Sequence, residues 1–340
     1  MTKLFDVAIL GATGVVGEAL LSILAQRSFP VGKLYPLASA RSSGDTVTFK
    51  GQQLLVEDAA TFDFKKAHIA FFSAGACVSA DYAPIAAKAG CVVIDNTSQF
   101  RYDADIPLVV PEVNPQDISL YKNRHIIANP NCSTIQLVVA LKPIYDAVGI
   151  TRINIATYQS VSGTGKKAIE ELTLQTKAVL AEQTPAMSVY PIPIAFNLIP
   201  HIDIFEENGY TREEMKIVRE SKKILHDESI LVNPTAVRVP VYCGHSEAVH
   251  IETKTKLTKA QAIALLKGAP GIIVKDQEVD GQYPSPLLEG DGQDAVYVGR
   301  IREDISHPNG LNLWVVADNI RKGAALNSIQ IAEILVRDYL

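Results

Sequence analysis

Cys132 carries the most reactive side chain in a setting that suggests chemistry. Asn129-Pro130-Asn131-Cys132-Ser133-Thr134 precedes apolar residues at Ile135, Val138, Val139, Leu141 and Ile144, which is helical spacing. Pro130 disfavours helix before it, and Asn131 or Ser133 can cap the helix after it. The spacing predicts a helix over 133–147 with Cys132 at or near its N-terminus. Unpaired N–H groups and the helix dipole there stabilise a thiolate and can supply an oxyanion hole for a tetrahedral adduct. The same position reads equally as a small capping residue. His245 follows Val241-Tyr242-Cys243-Gly244, and a histidine can pass a proton near neutral pH, although a lone histidine is more often structural. Cys243 would share a strand face with His245 and is a weaker rival nucleophile or metal ligand. Arg238 can clamp a carboxylate with two parallel hydrogen bonds. Glu213 and Lys216 share a helix face, which is also the pattern of a solvated helix surface.

A second constellation lies near the N-terminus. The apolar run Phe5–Leu10 leads through Gly11-Ala12-Thr13-Gly14-Val15-Val16-Gly17 into a stretch of helical composition. In such a turn the absent side chains let backbone N–H groups approach a pyrophosphate, and the helix presents its positive end to the same anion. The spacing is GxxGxxG rather than GxGxxG; its place between first strand and first helix gives it weight. At the end of the second strand, where an NAD site usually carries an acidic residue, the chain reads Leu37-Ala38-Ser39-Ala40-Arg41-Ser42. An arginine flanked by hydroxyls suits a 2′-phosphate, so NADP is expected over NAD.

The elements that must position these residues show two rhythms. Short apolar runs at 33–38, 68–73 and 91–94 alternate with helix-like stretches such as 79–89, as in a parallel sheet with crossover helices. Beyond about residue 129 come a helix over 133–147, a strand over 152–158, a helix over 166–181 and a Pro-rich connection with Pro185, Pro191, Pro193 and Pro200. Strand-like segments at 235–242, 248–254, 296–302 and 311–317, with few helices, predict a mixed sheet. The last segment, 324–340, has helical spacing at Leu326, Ile329, Ile331, Ile334 and Leu335 and is expected to pack on the first domain. The fold class is α/β: a Rossmann-type doubly wound parallel sheet domain over 1–130 plus 320–340, and a mixed α+β domain over 131–319.

Composition excludes several alternatives. The 340 residues are 47% hydrophobic with a formal net charge of −5, and no sustained basic run invites nucleic acid or an anionic membrane. Four cysteines are too sparse for a disulfide framework and lack paired CxxC spacing, so reduced thiols and no metal are expected. Met1-Thr2-Lys3-Leu4-Phe5-Asp6 lacks the features of a secretory signal, and no apolar stretch approaches the roughly 20 residues that span a bilayer. A cytoplasmic protein is expected.

Several segments together resemble the bacterial aspartate-semialdehyde dehydrogenase family: Gly-Ala-Thr-Gly at 11–14, Leu-Ala-Ser-Ala-Arg-Ser at 37–42, Phe-Ser-Ala-Gly at 72–75 and Asp-Asn-Thr-Ser-Gln-Phe-Arg at 95–101. The resemblance continues at 109–114 (Val-Val-Pro-Glu-Val-Asn), 130–134 (Pro-Asn-Cys-Ser-Thr), 158–163 (Tyr-Gln-Ser-Val-Ser-Gly), 238–241 (Arg-Val-Pro-Val) and 245–247 (His-Ser-Glu). It implies reductive dephosphorylation of aspartyl 4-phosphate by NADPH to aspartate 4-semialdehyde and inorganic phosphate, on the route to lysine, threonine and methionine. Cys132 would form the thioester, His245 would be the acid/base, and Gln159 would orient the acyl group. Arg238 would hold the substrate carboxylate, Glu213 its ammonium, and Lys216 with Arg101 the phosphate. Ser162, Gly163 and Asn319 would lie against the nicotinamide half of the cofactor, with Gly11, Thr13, Gly14, Val15, Val16, Ser39, Arg41 and Ser42 on the other half. The resemblance also implies that the domain over 131–319 is the catalytic and dimerisation domain, through which a homodimer forms. The alternatives are an N-acetylglutamyl-phosphate reductase, whose acylated substrate needs no ammonium acceptor, and a silent nucleotide-binding paralogue.

Overall fold

The computed structural model describes residues 3–340; of the N-terminal segment considered above, Met1 and Thr2 lie outside the described residues. Contacts divide the chain into two compact units, one ending at Asn131 and resuming over Ala324–Leu340, the other Cys132–Gly323.

The first unit is built on a six-stranded all-parallel sheet. Its elements are β1 (Phe5–Leu10), α1 (Val15–Gln26), β2 (Val31–Ala38), the hairpin β3 (Thr46–Phe49) and β4 (Gln52–Leu55), β5 (Glu57–Asp58), β6 (Ile69–Phe72), α2 (Ala76–Lys88), β7 (Val92–Asp95) and β8 (Ile126–Ala128). The strands read as near-continuous apolar runs because helices cover both faces; all four residues of β6 and of β7 are buried. Strand order is β5-β2-β1-β6-β7-β8. The chain passes from β1 to β2 on one side and later returns to β6 on the other, so the winding reverses between the C-terminal ends of β1 and β6. In open α/β sheets that point is where ligands bind.

The second unit carries α3 (Cys132–Val148), β9 (Ile150–Gln159), α4 (Lys166–Leu180), α5 (Arg212–Leu225), β10 (Leu231–Arg238), β11 (His245–Thr253), α6 (Lys259–Lys267), β12 (Ile272–Val274), β13 (Val296–Glu303) and β14 (Gly310–Ala317). Its sheet runs β10-β9-β11-β14-β13-β12, parallel in the β9/β10 and β12/β13 pairs and antiparallel elsewhere. Along β9, Ile153, Ile155, Thr157 and Gln159 are buried, while Arg152, Asn154, Ala156 and Tyr158 between them are half-buried. The Pro-rich connection is pinned to α4 by Glu171, whose Oε2 accepts from Ser188 N (3.1 Å) and Oγ (2.7 Å), and by Gln175, whose Oε1 accepts from Ile194 N (2.8 Å). The chain then returns as α7 (Leu326–Asp338) to the first unit. There Leu326, Ile329, Ile331 and Leu335 join the core of Ile9, Leu20, Ile23 and Phe71, as the spacing predicted.

Three elements differ from expectation. The strand expected over 235–242 is Leu231–Arg238; Pro234 is tolerated because β10 is the edge strand, and the chain leaves the sheet before Pro240. An unexpected helix, α6, starts at Thr258, whose hydroxyl and Gln261 form a capping box. Cys243 does not share a strand with His245: Gly244 takes a φ of +84°, which breaks the alternation, and Cys243 lies in the connection before β11. No helix among the described residues is long and apolar enough to cross a membrane.

Candidate active site

The second unit assembles its polar groups at one end of its sheet. β9 and β10 run parallel and finish together, Gln159 opposite Arg238. β11 runs the other way and begins there with His245, opposite Ala317 at the end of β14. Four strand ends thus deliver Gln159, Arg238, His245 and the nearby Asn319 to one place.

Cys132 is the first residue of α3, as predicted, so it stands at the positive end of the helix dipole. Gly323 lies against it: a Cβ there would stand 2.8 Å from the Cys132 Cβ. Beside Cys132, Ser133 accepts from the Gln159 amide, which also donates to Glu213 Oε1 (3.0 Å). The other Glu213 oxygen accepts from Lys216 (2.9 Å), and Lys216 reaches Asp203 (3.0 Å). Burial alone would lower the Lys216 pKa, but the Glu213 and Asp203 carboxylates outweigh it and raise it. Glu214 is engaged otherwise: its oxygens accept from Thr211 N (2.6 Å), in the capping box of α5, and from Ala236 N (2.9 Å). Adjacent glutamates therefore do separate jobs, and only Glu213 faces the other candidate residues.

Arg238 and His245 are both buried. Arg238 Nη1 donates to the Ser160 carbonyl (2.7 Å), while its Nε has no hydrogen-bond partner. His245 Nε2 is likewise buried and unpartnered. Gly163 borders both, a Cβ there standing 3.3 Å from Arg238 Nη1 and 3.4 Å from His245 Nε2. Unsatisfied buried polar atoms are expensive, and a bound polar ligand would satisfy both Arg238 Nε and His245 Nε2. Burial first, and the Arg238 charge second, push His245 down to about 3, against a smaller opposing pull from Glu213. The expected titration near neutral pH is thus absent: desolvation keeps the imidazole uncharged.

Behind His245, Nδ1 accepts from the Ser160 backbone N–H (3.1 Å) and lies 3.1 Å from Ser160 Oγ. Asn319 Oδ1 accepts from Ser160 Oγ (3.0 Å), Ser162 Oγ (3.2 Å) and Gly244 N (2.9 Å). Its neighbour Asp318 accepts through Oδ1 from Ile320 N and Arg321 N, both 2.8 Å. Burial raises the Cys243 pKa, and Asp291 and Asp318 add to it, the opposite of what a nucleophile requires. The sequence offers Ser133 only as a possible cap and does not mark Ser160 or Gly323; the two serines lie inside the Pro-Asn-Cys-Ser-Thr and Tyr-Gln-Ser-Val-Ser-Gly segments, whereas nothing in the residues around Gly323 points to it.

In the first unit the glycine turn comes directly after β1. Gly11 has φ +93°, and a Cβ on it would meet Ser73 Oγ at 2.8 Å, at the end of β6. Gly17 would collide with the Gly11 carbonyl at 2.2 Å, so this glycine lets α1 pack on the turn. α1 begins at Val15 and Val16 with Gly14 as an N-cap that makes no side-chain cap bond. Its first N–H groups lie at the switch point and fit a pyrophosphate. Ser39, Arg41 and Ser42 come after β2, with Ser42 N donating to the Ser39 carbonyl (2.9 Å). Arg41 is exposed and makes no hydrogen bond or ion pair among the described residues. β5 sets Asp58 beside Ala38, but Asp58 Oδ1 accepts from Ala60 N (3.0 Å). Arg101 is buried, with Nη2 donating to the Asn96 carbonyl (2.9 Å).

Comparison with known proteins agrees with this division. Residues 6–121 match the family model "Semialdehyde dehydrogenase, NAD binding domain", and residues 141–322 match "Semialdehyde dehydrogenase, dimerisation domain". The chain is 63% identical over 340 residues to an aspartate-semialdehyde dehydrogenase of Legionella pneumophila, covering 100% of this chain and 98% of the relative. Its fold is similar, at TM-score 0.98 and 57% identity with full coverage of both chains, to aspartate semialdehyde dehydrogenase II from Vibrio cholerae complexed with ASA. An aspartate semialdehyde dehydrogenase with NADP from Candida albicans matches at TM-score 0.78 and 27% identity, covering 98% of each chain.

Proposed function

The chain belongs to the aspartate-semialdehyde dehydrogenase family, an oxidoreductase with a nucleotide-binding Rossmann-type unit, and from that premise we propose the reaction and the residues that carry it. The reaction is reversible reductive dephosphorylation of L-aspartyl 4-phosphate to L-aspartate 4-semialdehyde and phosphate, in the cytoplasmic biosynthesis of lysine, threonine and methionine. The observation that carries this reading is the pair of buried, unpartnered nitrogens, Arg238 Nε and His245 Nε2, beside a cysteine at a helix N-terminus.

Cys132 attacks the acyl carbon, the C–O bond to phosphate breaks, and a thioester remains on the sulfur. The first turn of α3 stabilises both the thiolate and the tetrahedral oxyanion. Gln159, held between Ser133 and Glu213, orients the acyl group, and His245 serves its oxygen as acid/base partner. Arg238 takes the α-carboxylate through its open edge, as a planar fork can and an ammonium cannot. Glu213 receives the substrate ammonium, and Lys216 with Arg101 receives the phosphate. The bound nicotinamide cofactor supplies the hydride.

NADP is assigned over NAD because Arg41, flanked by Ser39 and Ser42, is uncommitted where a 2′-phosphate would lie, and the Candida albicans relative carries NADP. Gly11, Thr13, Gly14, Val15 and Val16 hold the pyrophosphate; Ser162, Gly163 and Asn319 are assigned to the nicotinamide half. A homodimer is assigned from the match to a dimerisation domain and from the half-buried sheet face of Tyr158, Ala248 and Trp314.

The test tracks absorbance of the reduced cofactor while protein is mixed with aspartate semialdehyde, inorganic phosphate and NADP, with NAD and Cys132→Ser beside it. A rise that needs phosphate, prefers NADP and vanishes in the variant is expected. Turnover without phosphate, or in Cys132→Ser, overturns the assignment.

A further inference from the structure

The connection between β12 and β13 packs against the turn that delivers His245. It leaves β12 with Lys275, whose ammonium pairs with Glu289, and Glu289 Oε2 accepts from Ser285 N (2.7 Å). The Pro284 carbonyl accepts from Trp314 Nε1 on β14 (3.0 Å). Glu289 N and Gly290 N then donate to the Ser285 and Pro286 carbonyls (2.9 and 3.1 Å), closing a single helical turn. Beyond it Gly292 N donates to Asp318 Oδ2 (2.8 Å), and Asp294 Oδ1 accepts from Arg321 Nε (2.8 Å). Residues 284–294 thus form a strap that is anchored on both sides of Gly290.

Gly290 is where the strap meets Gly244, the residue before His245. A Cβ on Gly244 would stand 2.8 Å from the Gly290 carbonyl oxygen and 3.0 Å from Gly290 Cα. A Cβ on Gly290 would stand 2.8 Å from the Pro286 carbonyl oxygen, 2.9 Å from Pro286 Cα and 3.0 Å from Gly244 Cα. Gly290 has no positive φ, so what it provides is this close approach. The Gly244 N–H is itself held by Asn319 Oδ1 (2.9 Å), and Asn319 follows Asp318, the residue that anchors Gly292. The strap therefore grips the residue before His245 and the residue before Asn319.

We infer that Gly290 is a positioning residue for His245: the anchored strap sets, through its contact with Gly244, where the imidazole stands. The inference rests on the reaction proposed above for the acid/base role of that imidazole. Carbon atoms in contact settle at about 3.5–4.0 Å, so a methyl group on Gly290 must part the strap from Gly244 by at least ~0.5 Å. Every atom it meets is backbone, and none can rotate away. Because Glu289 and Gly292 hold the strap within two residues on either side, Gly244 and His245 must take up part of the shift.

The test is a double-mutant cycle in the phosphate-dependent assay, crossing Gly290→Ala with His245→Asn. Losing an acid/base group costs ~10²–10⁴-fold, which leaves a measurable rate. In the otherwise wild-type chain Gly290→Ala should lower kcat ~10-fold, since misplacing a reacting group by ~1 Å costs ~10²-fold, with KM for aspartate semialdehyde nearly unchanged. In the His245→Asn chain it should cost less than ~2-fold, because no imidazole is left to misplace. The ring signal of His245 in proton–nitrogen NMR, assigned with His245→Asn, should also move in Gly290→Ala. A wild-type kcat in Gly290→Ala overturns the inference, and so does an equal loss in both backgrounds, which a merely structural fault would give. If Gly290→Ala fails to fold, Asp318→Asn takes its place. Its amide sets an NH2 group where Gly292 N–H now finds an acceptor and loosens the strap without adding volume, and the same coupling to His245 is expected. A wild-type protein inactive with aspartate semialdehyde would refute the proposed reaction, and the NMR signal would then decide alone: an unmoved ring overturns the inference.

Discussion

Replacing Gly323 by alanine tests whether the nucleophile's position is set by a missing side chain. No positive φ requires glycine here; what it provides is space. The added Cβ would stand 2.8 Å from Cys132 Cβ and 3.3 Å from Cys132 Cα. Carbon atoms in contact settle at about 3.5–4.0 Å, so the gap must open by at least ~0.7 Å. The opposing atoms are a helix backbone and its first side-chain carbon, neither of which can rotate away. Overpacking of this kind costs about 1–3 kcal/mol, which in a chain of this size lowers Tm by only a few degrees. The effect on chemistry should be larger, because misplacing a reacting group by ~1 Å costs ~10²-fold. A kcat reduced ~10- to 100-fold is expected in the phosphate-dependent assay, with slower alkylation of Cys132 by iodoacetamide and nearly unchanged NADP affinity. Wild-type kcat and wild-type alkylation in Gly323→Ala would refute the reasoning, since the helix would then have absorbed the methyl group without moving the sulfur.

The two adjacent glutamates should separate cleanly. Glu213→Gln raises the KM for aspartate semialdehyde because an amide attracts its ammonium poorly, whereas Glu214→Gln lowers Tm by weakening the cap and the tie to Ala236, at a cost of about 0.5–2 kcal/mol, with KM unchanged. Equal KM effects from the two would remove the ammonium role. Arg238→Lys should lose ~10²-fold in kcat/KM, because a point charge cannot replace a bidentate fork in a buried position; activity near wild type would count against the clamp. Acid sensitivity should trace partly to His245. Its pKa is about 3 in the fold against 6.5 ordinarily, so between those values the unfolded chain binds a proton that the native chain does not. Stability therefore falls as pH drops below 6.5, by about 1.4 kcal/mol per pH unit for this group, and denaturant unfolding of His245→Asn should show a shallower acid limb. Glu247 acts in the opposite sense: burial raises its pKa well above 4.5, against a smaller pull from Gln136. The unfolded chain then releases a proton that the native chain keeps, and stability falls as pH rises. Glu247→Gln should raise Tm more at pH 8 than at pH 5, and an equal change at both would contradict it.

What could be read from the sequence was whatever rests on backbone geometry or local periodicity. Gly11, Gly14 and Gly17 after an apolar strand mark a turn whose demands are local, and Pro130 with Asn131 marks the start of α3 to within a residue. The capping box of α6 is equally local, with Thr258 and Gln261 in plain spacing, but the segment after it lacks the strong apolar stripe that marks a helix. The site itself was legible chiefly through the family resemblance, since Arg238, Gln159 and His245 lie on three strands whose register only the folded sheet supplies. Ser160 and Gly323 were illegible for a physical reason. One acts through its backbone N–H and the other through the volume it leaves open, and neither function leaves a mark on residue type. The neutrality of His245 was hidden likewise, because burial beside Arg238 is a property of the packed unit.

Asn319 also bears on how the molecule ages. An asparagine degrades when the backbone nitrogen of the next residue attacks its side-chain amide and closes a succinimide ring, turning the residue into an acid. Here that nitrogen belongs to Ile320, and its N–H is held by Asp318 Oδ1 at 2.8 Å. The Asn319 oxygen is at the same time clasped by three donors, and Asn319 is 2% exposed to the water that would complete the conversion. These bonds immobilise both reactants of the damage reaction, so Asn319 should keep its amide for as long as the fold around it remains closed.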